Sequence, residues 1–205
     1  MNGIENIILD LGGVVIRLAN EESWKKELFT IFDSEKFLAH KDQIIEFFKS
    51  FERGIISNEE FLDTLYQYRK DDNITIPQII STWNSILKDY HPQTIQKLLK
   101  LRKQYKLYLL SNTNSIHEQA FIKQSVEQFG SYILEGIFDG IYLSHNLGYR
   151  KPVLESYKII IEENHLDVTN TLFIDDRKEN IDAAQSLGMQ VRLHPFNQYI
   201  GKSII

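Results

Sequence analysis

Five short apolar runs separated by helical patterns constrain this chain more than any other feature of it. Ile4–Leu9, Lys106–Leu110, Gly140–Leu143 and Thr171–Ile174 are built from Ile, Leu, Phe and Tyr, and Gln190–Leu193 is a weaker fifth. None alternates clearly with polar residues, which is the habit of strands covered on both faces. The intervening spacing predicts helices over Thr94–Gln104, Ser115–Phe129, Val153–Asn164 and Glu179–Leu187. Pro152 suits a first helical position and Gly188 a helix end. Strands alternating with helices of this length predict an α/β fold with a parallel sheet and right-handed crossovers.

About ninety residues without a convincing strand separate the first run from the second. Glu21–Phe32, Gln43–Arg53, Asn58–Tyr68 and Pro77–Leu87 read as helices, with Ser57 and Glu60 at capping-box spacing and Gly54 where a helix would stop. The simplest arrangement is a helical insert in the first crossover, and Phe47, Phe48 and Trp83 are expected in the insert's own core. A length of 205 residues suits one domain carrying such an insertion.

Composition excludes several classes of function. The net charge of −5 argues against a broad surface for nucleic acid. The absence of cysteine removes disulfides, thiolate metal sites and a Cys nucleophile, so any metal must be held by oxygen or imidazole. The six histidines have no metal-ligand spacing. No apolar run approaches the roughly 20 residues that span a bilayer, and the first ten residues do not resemble a signal peptide. The expectation is a cytoplasmic protein, monomeric or weakly dimeric, with neither membrane nor nucleic acid as partner.

Each of four runs is followed by polar groups suited to chemistry. The first ends in Asp10-Leu11-Gly12-Gly13, a carboxylate at a strand's carboxyl end beside glycines that let a ligand approach the backbone. Alone, this is more simply an Asp opening a tight turn. The second ends in Ser111-Asn112-Thr113-Asn114, which can bind an anion or simply cap a helix. The third is followed by Arg150-Lys151, either a phosphate-neutralising lysine or a solvated pair. The fourth ends in Asp175-Asp176, two acids that are costly to keep on an apolar strand end without a cation or hydrogen bonds.

Taken together, in the order Asp, Ser-Asn, Lys, Asp-Asp, these elements resemble the haloacid-dehalogenase-like hydrolase superfamily. The segments ILDLGGVV, FERGIISNEEF, LLSNTN, YLSHNLGYRKP and LFIDDRKENIDAAQSLG are similar to a helical-cap phosphatase branch that contains an alpha-D-glucose-1-phosphate phosphatase. The resemblance implies a Rossmann-like core (residues 1–17 and 91–205) and a helical cap (residues 18–90). It implies a phosphatase acting on a small phosphorylated metabolite such as a sugar phosphate, with Asp10 as nucleophile and Mg²⁺ as cofactor. Asp10, the Gly12 carbonyl and Asp176 would hold the ion, with Asp175 a further ligand or a supporting group. Ser111 and Asn112 would bind phosphate oxygens, Lys151 would bridge nucleophile and phosphate, and Arg53 and Gly54 would reach over the pocket.

Elementary electrostatics agrees with that division. A phosphate dianion about 4 Å from a carboxylate meets roughly 8 kcal/mol of repulsion at an effective dielectric near 20. A divalent cation with Lys151 balances the three negative charges. One position departs from the common pattern: Gly12 stands where most phosphatases of this superfamily carry a second Asp as general acid and base, although the glucose-1-phosphate branch also has Gly there. Asn180 likewise stands in place of a second distal acid in the last motif. Two alternatives follow. One is haloacid dehalogenation, against which the Asp175-Asp176 pair argues. The other is a catalytically inactive protein that binds a phosphorylated ligand.

Overall fold

The computed structural model describes residues 3–201. The first strand, β1 (Asn6–Leu9), leads through a glycine turn to β2 (Ile16–Leu18). Five helices follow: α1 (Glu21–Ile31), α2 (Ser34–Ala39), α3 (Lys41–Glu52), α4 (Asn58–Gln67) and α5 (Ile76–Asn84). The chain returns through β3 (Leu87–Tyr90) to α6 (Pro92–Leu101), β4 (Lys106–Ser111), α7 (Ser115–Phe129), α8 (Ile133–Ile137) and β5 (Gly140–Leu143). It then runs through α9 (Ser144–Leu147), α10 (Glu155–Glu163), β6 (Thr171–Asp175), α11 (Lys178–Ser186) and β7 (Gln190–Leu193). Among the described residues no helix is long and apolar enough to cross a membrane.

The five apolar runs form one parallel sheet in the order β5-β4-β1-β6-β7. Side chains alternate between its faces, and both faces are buried. Ile7, Leu9, Leu107, Leu109, Leu172 and Ile174 pack with α6, α7 and α8, while Ile8, Tyr108, Leu110 and Phe173 pack with α10 and α11. This two-sided burial is why the runs carry no polar alternation. Truncating one of these fully buried side chains to alanine costs about 2–5 kcal/mol.

Two segments differ from the sequence reading. The long insert does contain strand: β2 and β3 pair antiparallel as a narrow ribbon at its entry and exit, so the helix expected to reach Leu87 ends at Asn84. Ile16 and Tyr90 of that ribbon are buried with the sheet, and Leu18 and Leu87 pack against the same cluster. Pro152 follows a cis peptide in a turn, and α10 begins only at Glu155.

The five insert helices close on their own cluster, which contains Phe32, Phe51, Phe61, Leu65, Ile79 and Trp83, with Phe47 and Phe48 packed against it. Ser57 caps α4 by accepting from the Glu60 N–H at 3.1 Å, and Gly54 leaves α3 at φ +68°. His117 of α7 joins this cluster to the sheet. Its ring stacks on Trp83 with centroids 5.3 Å apart, and Nε2 lies 3.3 Å from the Trp83 carbonyl. Asn114 caps α7 with its carbonyl and turns its amide nitrogen toward His117 Nδ1 at 3.1 Å. A carbonyl on one nitrogen and an amide donor on the other fix a neutral ring with its proton on Nε2.

Burial accordingly holds the His117 imidazole down at about 4 against an ordinary 6.5. The unfolded chain takes up this proton first. The contribution of His117 to stability is therefore intact above pH 6.5 and falls as the pH drops toward 4, by up to about 1.4 kcal/mol per unit. Proton NMR should find the His117 ring unprotonated until the pH nears 4. Titration near 6.5 would contradict the assignment.

Candidate active site

The register of the sheet assembles the site. Leu9 is level with Leu109 on one side and Ile174 on the other, so Asp10, Ser111 and Asp175-Asp176 leave the same end of three adjacent strands. The Asp10 N–H still donates to the Ile174 carbonyl at 2.9 Å, which fixes the nucleophile candidate to the sheet rather than to a free loop. Ser111 is buried and pairs across to Leu143 of β5.

Lys151 arrives from the segment after β5 and is buried at 2% exposure. Its Nζ donates to Asp10 Oδ1 at 2.5 Å and to Asp175 Oδ2 at 2.7 Å. Burial alone would lower this lysine's pKa, but the two carboxylates outweigh it and hold the ammonium's pKa above its ordinary value. Asp175 is fully buried and well occupied. Besides Lys151 it accepts from Asn180 Nδ2, 3.0 Å from each oxygen, and from the Arg177 N–H at 2.8 Å. An acid at position 180 would repel Asp175; the asparagine instead donates to it.

Asp176, one residue on, is partly exposed. Its Oδ2 lies 3.0 Å from where a Cβ on Gly13 would stand, at φ +76°. Asp10, Asp175 and Asp176 each offer an oxygen within 4.8 Å of the others. Burial pushes the Asp10 carboxyl up to about 7, with Asp175 and Asp176 adding to the rise and Lys151 opposing it. Burial and Asp175 also raise Asp176. Three carboxylates facing one ammonium leave the cluster two positive charges short. An all-oxygen donor set with that deficit fits a hard divalent cation such as Mg²⁺.

Asn112 is placed differently from a free phosphate ligand. Its side-chain Nδ2 donates to the Lys151 carbonyl at 2.9 Å, and its Oδ1 accepts from the Lys151 N–H at 2.8 Å. The amide thus pairs with the lysine's backbone as a strand neighbour would, and sets the direction from which Lys151 enters. Ser144, for which the sequence suggested no role, does the same for the neighbouring turn. Its Oγ accepts from the Thr113 N–H and donates to the Thr113 carbonyl, both at 2.9 Å.

The insert meets the segment that carries Lys151 at Gly54 and Glu52. A Cβ on Gly54 would lie 2.2 Å from the His145 carbonyl, so only glycine permits this contact. Glu52 accepts from Arg150 Nε at 2.8 Å, one residue before Lys151. Arg53 Nη2 donates to Ser50 at 3.3 Å, while its buried Nε has no partner among the described residues.

At Gly12 the space is taken. A Cβ there would lie 2.8 Å from Leu18 Cδ1, so the ribbon's leucine fills the place an acidic side chain would start from.

Comparison with known proteins gives the family. The sequence profile of the haloacid dehalogenase-like hydrolases matches residues 7–193, and the chain belongs to that family. It is 28% identical to a D-ribitol-5-phosphate phosphatase of Bacteroides thetaiotaomicron, over 91% of this chain and 90% of the relative. It is 27% identical to a sesquiterpene phosphatase of Aspergillus oryzae, over 91% of this chain and 87% of the relative. A crystal structure of a family enzyme from Bacteroides thetaiotaomicron, in complex with magnesium and inorganic phosphate, superposes with a TM-score of 0.86. The two are 32% identical, and the match covers 99% of this chain and 100% of that one.

Asn112→Ala should leave the Lys151 peptide buried and unpaired, at a cost of about 1–3 kcal/mol. Denaturant titration checks this; an unchanged midpoint would deny the clamp.

Proposed function

We propose that this chain is a magnesium-dependent phosphatase that hydrolyses a small phosphomonoester, a sugar or polyol phosphate, through an aspartyl-phosphate on Asp10. The observation that carries the reading is the buried triad of Asp10, Lys151 and Asp175 with Asp176 alongside. It supplies a nucleophile, a fixed positive charge and an oxygen site for the ion on one sheet edge. The phosphatase relatives and the family structure with magnesium and phosphate support the same activity and the same ion.

Asp10, the Gly12 carbonyl and Asp176 would hold Mg²⁺. Bound there, the ion neutralises phosphate charge and so admits the dianion to an anionic pocket. The chain's own residues account for the rest. The Asp10 carboxylate oxygen attacks phosphorus as the ester P–O bond breaks, and water later cleaves the acyl phosphate. Lys151, with two of its ammonium protons donated to Asp10 and Asp175, would orient Asp10 and offer positive charge to the transferring group. Ser111 and the backbone after it would take phosphate oxygens, with Asn112 acting through the placement of Lys151. Arg53, with a buried Nε that has no partner among the described residues, would take the organic part of the substrate. Dehalogenation is disfavoured by the acidic pair at 175 and 176. An inactive binding protein would have no need of a lysine held against the nucleophile.

Asp10→Asn should abolish turnover, because a carboxamide is a very poor nucleophile toward phosphorus. Phosphate release from a panel of phosphorylated metabolites, with and without Mg²⁺, provides the measurement. Activity surviving in Asp10→Asn would end the covalent mechanism. A beryllium fluoride adduct should form on Asp10.

Gly12 and Leu18 generate a second expectation. With no acid at position 12 to protonate the departing oxygen, a contribution commonly worth about 10²–10⁴-fold is missing. The rate should therefore depend steeply on leaving-group acidity, with aryl and anomeric phosphates favoured over primary alkyl phosphates. A series of kcat/KM values across graded leaving groups tests this. Gly12→Asp combined with Leu18→Ala, which makes room for the acid, should flatten the slope. A flat slope in the native enzyme, with chemistry rate-limiting, would mean that another residue donates the proton.

A further inference from the structure

The chain continues past β7, and residues 194–200 return across the carboxyl end of the sheet. This segment is tied down at both ends. The His194 N–H donates to the Asp175 carbonyl at 2.8 Å, and the N–H of the fully buried Ile200 donates to Thr94 Oγ1 at 3.1 Å. Between them Asn197 adopts the left-handed backbone, φ +60°, and makes three hydrogen bonds to the segment that follows Asp10. Its N–H donates to the Gly13 carbonyl at 2.8 Å. Its side-chain Nδ2 donates to the Leu18 carbonyl at 2.7 Å, and its Oδ1 accepts from the Leu18 N–H at 2.9 Å.

These bonds serve a weak element. β2 has three residues, pairs with β3 as a two-stranded sheet apart from a single bridge from Ile16 to Gly12, and shifts register between Ile16 and Leu18. A two-stranded ribbon is marginal on its own. The Asn197 amide supplies Leu18 with the partner that a further strand would have provided. Leu18 in turn fills the space beside Gly12, and the Phe196 ring closes on Gly13, where a Cβ would lie 2.6 Å from Phe196 Cδ2 and 3.0 Å from Asp176 Oδ2. Gly12, whose carbonyl would face the ion, is thereby held from the Gly13 side and by the leucine packed against it.

We infer that Asn197 is a positioning residue of the magnesium site. By clamping Leu18 and the Gly13 carbonyl, it sets the Gly12 carbonyl against Asp10 and Asp176. The inference rests on the reading that these three groups hold Mg²⁺. It predicts reciprocal coupling: the clamp tightens the ion, and the ion tightens the clamp.

The variant that isolates the side chain is Asn197→Gly, since glycine keeps the left-handed backbone and its N–H to Gly13. Calorimetry on the full chain should find Mg²⁺ binding weakened about 10–100-fold, the usual effect of losing a group that orients a metal ligand. The Mg²⁺ concentration for half-maximal rate should rise in parallel. Saturating Mg²⁺ should restore kcat, with little change in substrate KM, a rescue that loss of fold would not permit. Wild-type affinity in Asn197→Gly, or a kcat deficit that Mg²⁺ does not repair, would overturn the inference. Hydrogen exchange on the wild-type chain gives a test that needs no variant. Mg²⁺ should slow exchange of the Leu18 amide, and equal rates with and without the ion would also overturn it. Asp176→Ala separates the two levels. If the wild type shows no Asp176-dependent Mg²⁺ binding, the magnesium reading itself fails; if it does and Asn197→Gly matches it, only the clamp fails.

Discussion

The ammonium of Lys151, buried between the carboxylates of Asp10 and Asp175, is the contact on which the arrangement of the site depends. Removing three charges from water is expensive, and their attraction inside the protein returns that cost only when geometry and hydrogen bonding are good. The surrounding structure meets this condition locally. Asn112 pairs with the lysine's backbone, Asn180 and the Arg177 N–H occupy Asp175, and the sheet holds the Asp10 N–H. The triad therefore contributes orientation more than stability. Breaking it by removing one partner would leave an uncompensated buried charge, at about 3–5 kcal/mol.

That triad also explains the division between the two acids after β6. Neighbouring residues at the end of a strand point to opposite sides. Asp175 is committed to Lys151, while Asp176 is turned toward Gly13 and keeps some contact with solvent. One acid anchors the cation that belongs to the protein, and the other, in the proposed reading, takes the cation that comes from outside. Mg²⁺ suits that second place because it accepts few protein oxygens and retains water.

The insert is coupled to this centre at few points, each specific. Gly54 against the His145 carbonyl, Glu52 with Arg150, and His117 between Trp83 and Asn114 all bear on segments that also carry Lys151 or the turn after β4. In the proposed reading, substrate choice falls to helices with a core of their own, while the chemistry stays on the sheet. Such a separation lets the organic part of the substrate vary without disturbing the phosphate site.

The parallel sheet and the polar groups at its strand ends were legible because each rests on local pattern: an apolar run buried on both faces, then a residue that cannot stay buried unpaired. The family motifs placed Asp10, Ser111, Lys151, Asp175 and Asp176 for the same reason. The β2–β3 ribbon was not legible, since three or four residues such as Leu87-Lys-Asp-Tyr carry no period that distinguishes strand from loop. Nor were the partners: Asn112 and Lys151 lie 39 positions apart, and Leu18 and Asn197 lie 179 apart. The sequence by itself determined which groups stand at the carboxyl edge of the sheet, through burial and periodicity, which are properties of short segments. Only the tertiary structure decided what each group does there. A hydrogen bond depends on ångström-scale direction between segments that meet only once the whole chain has closed.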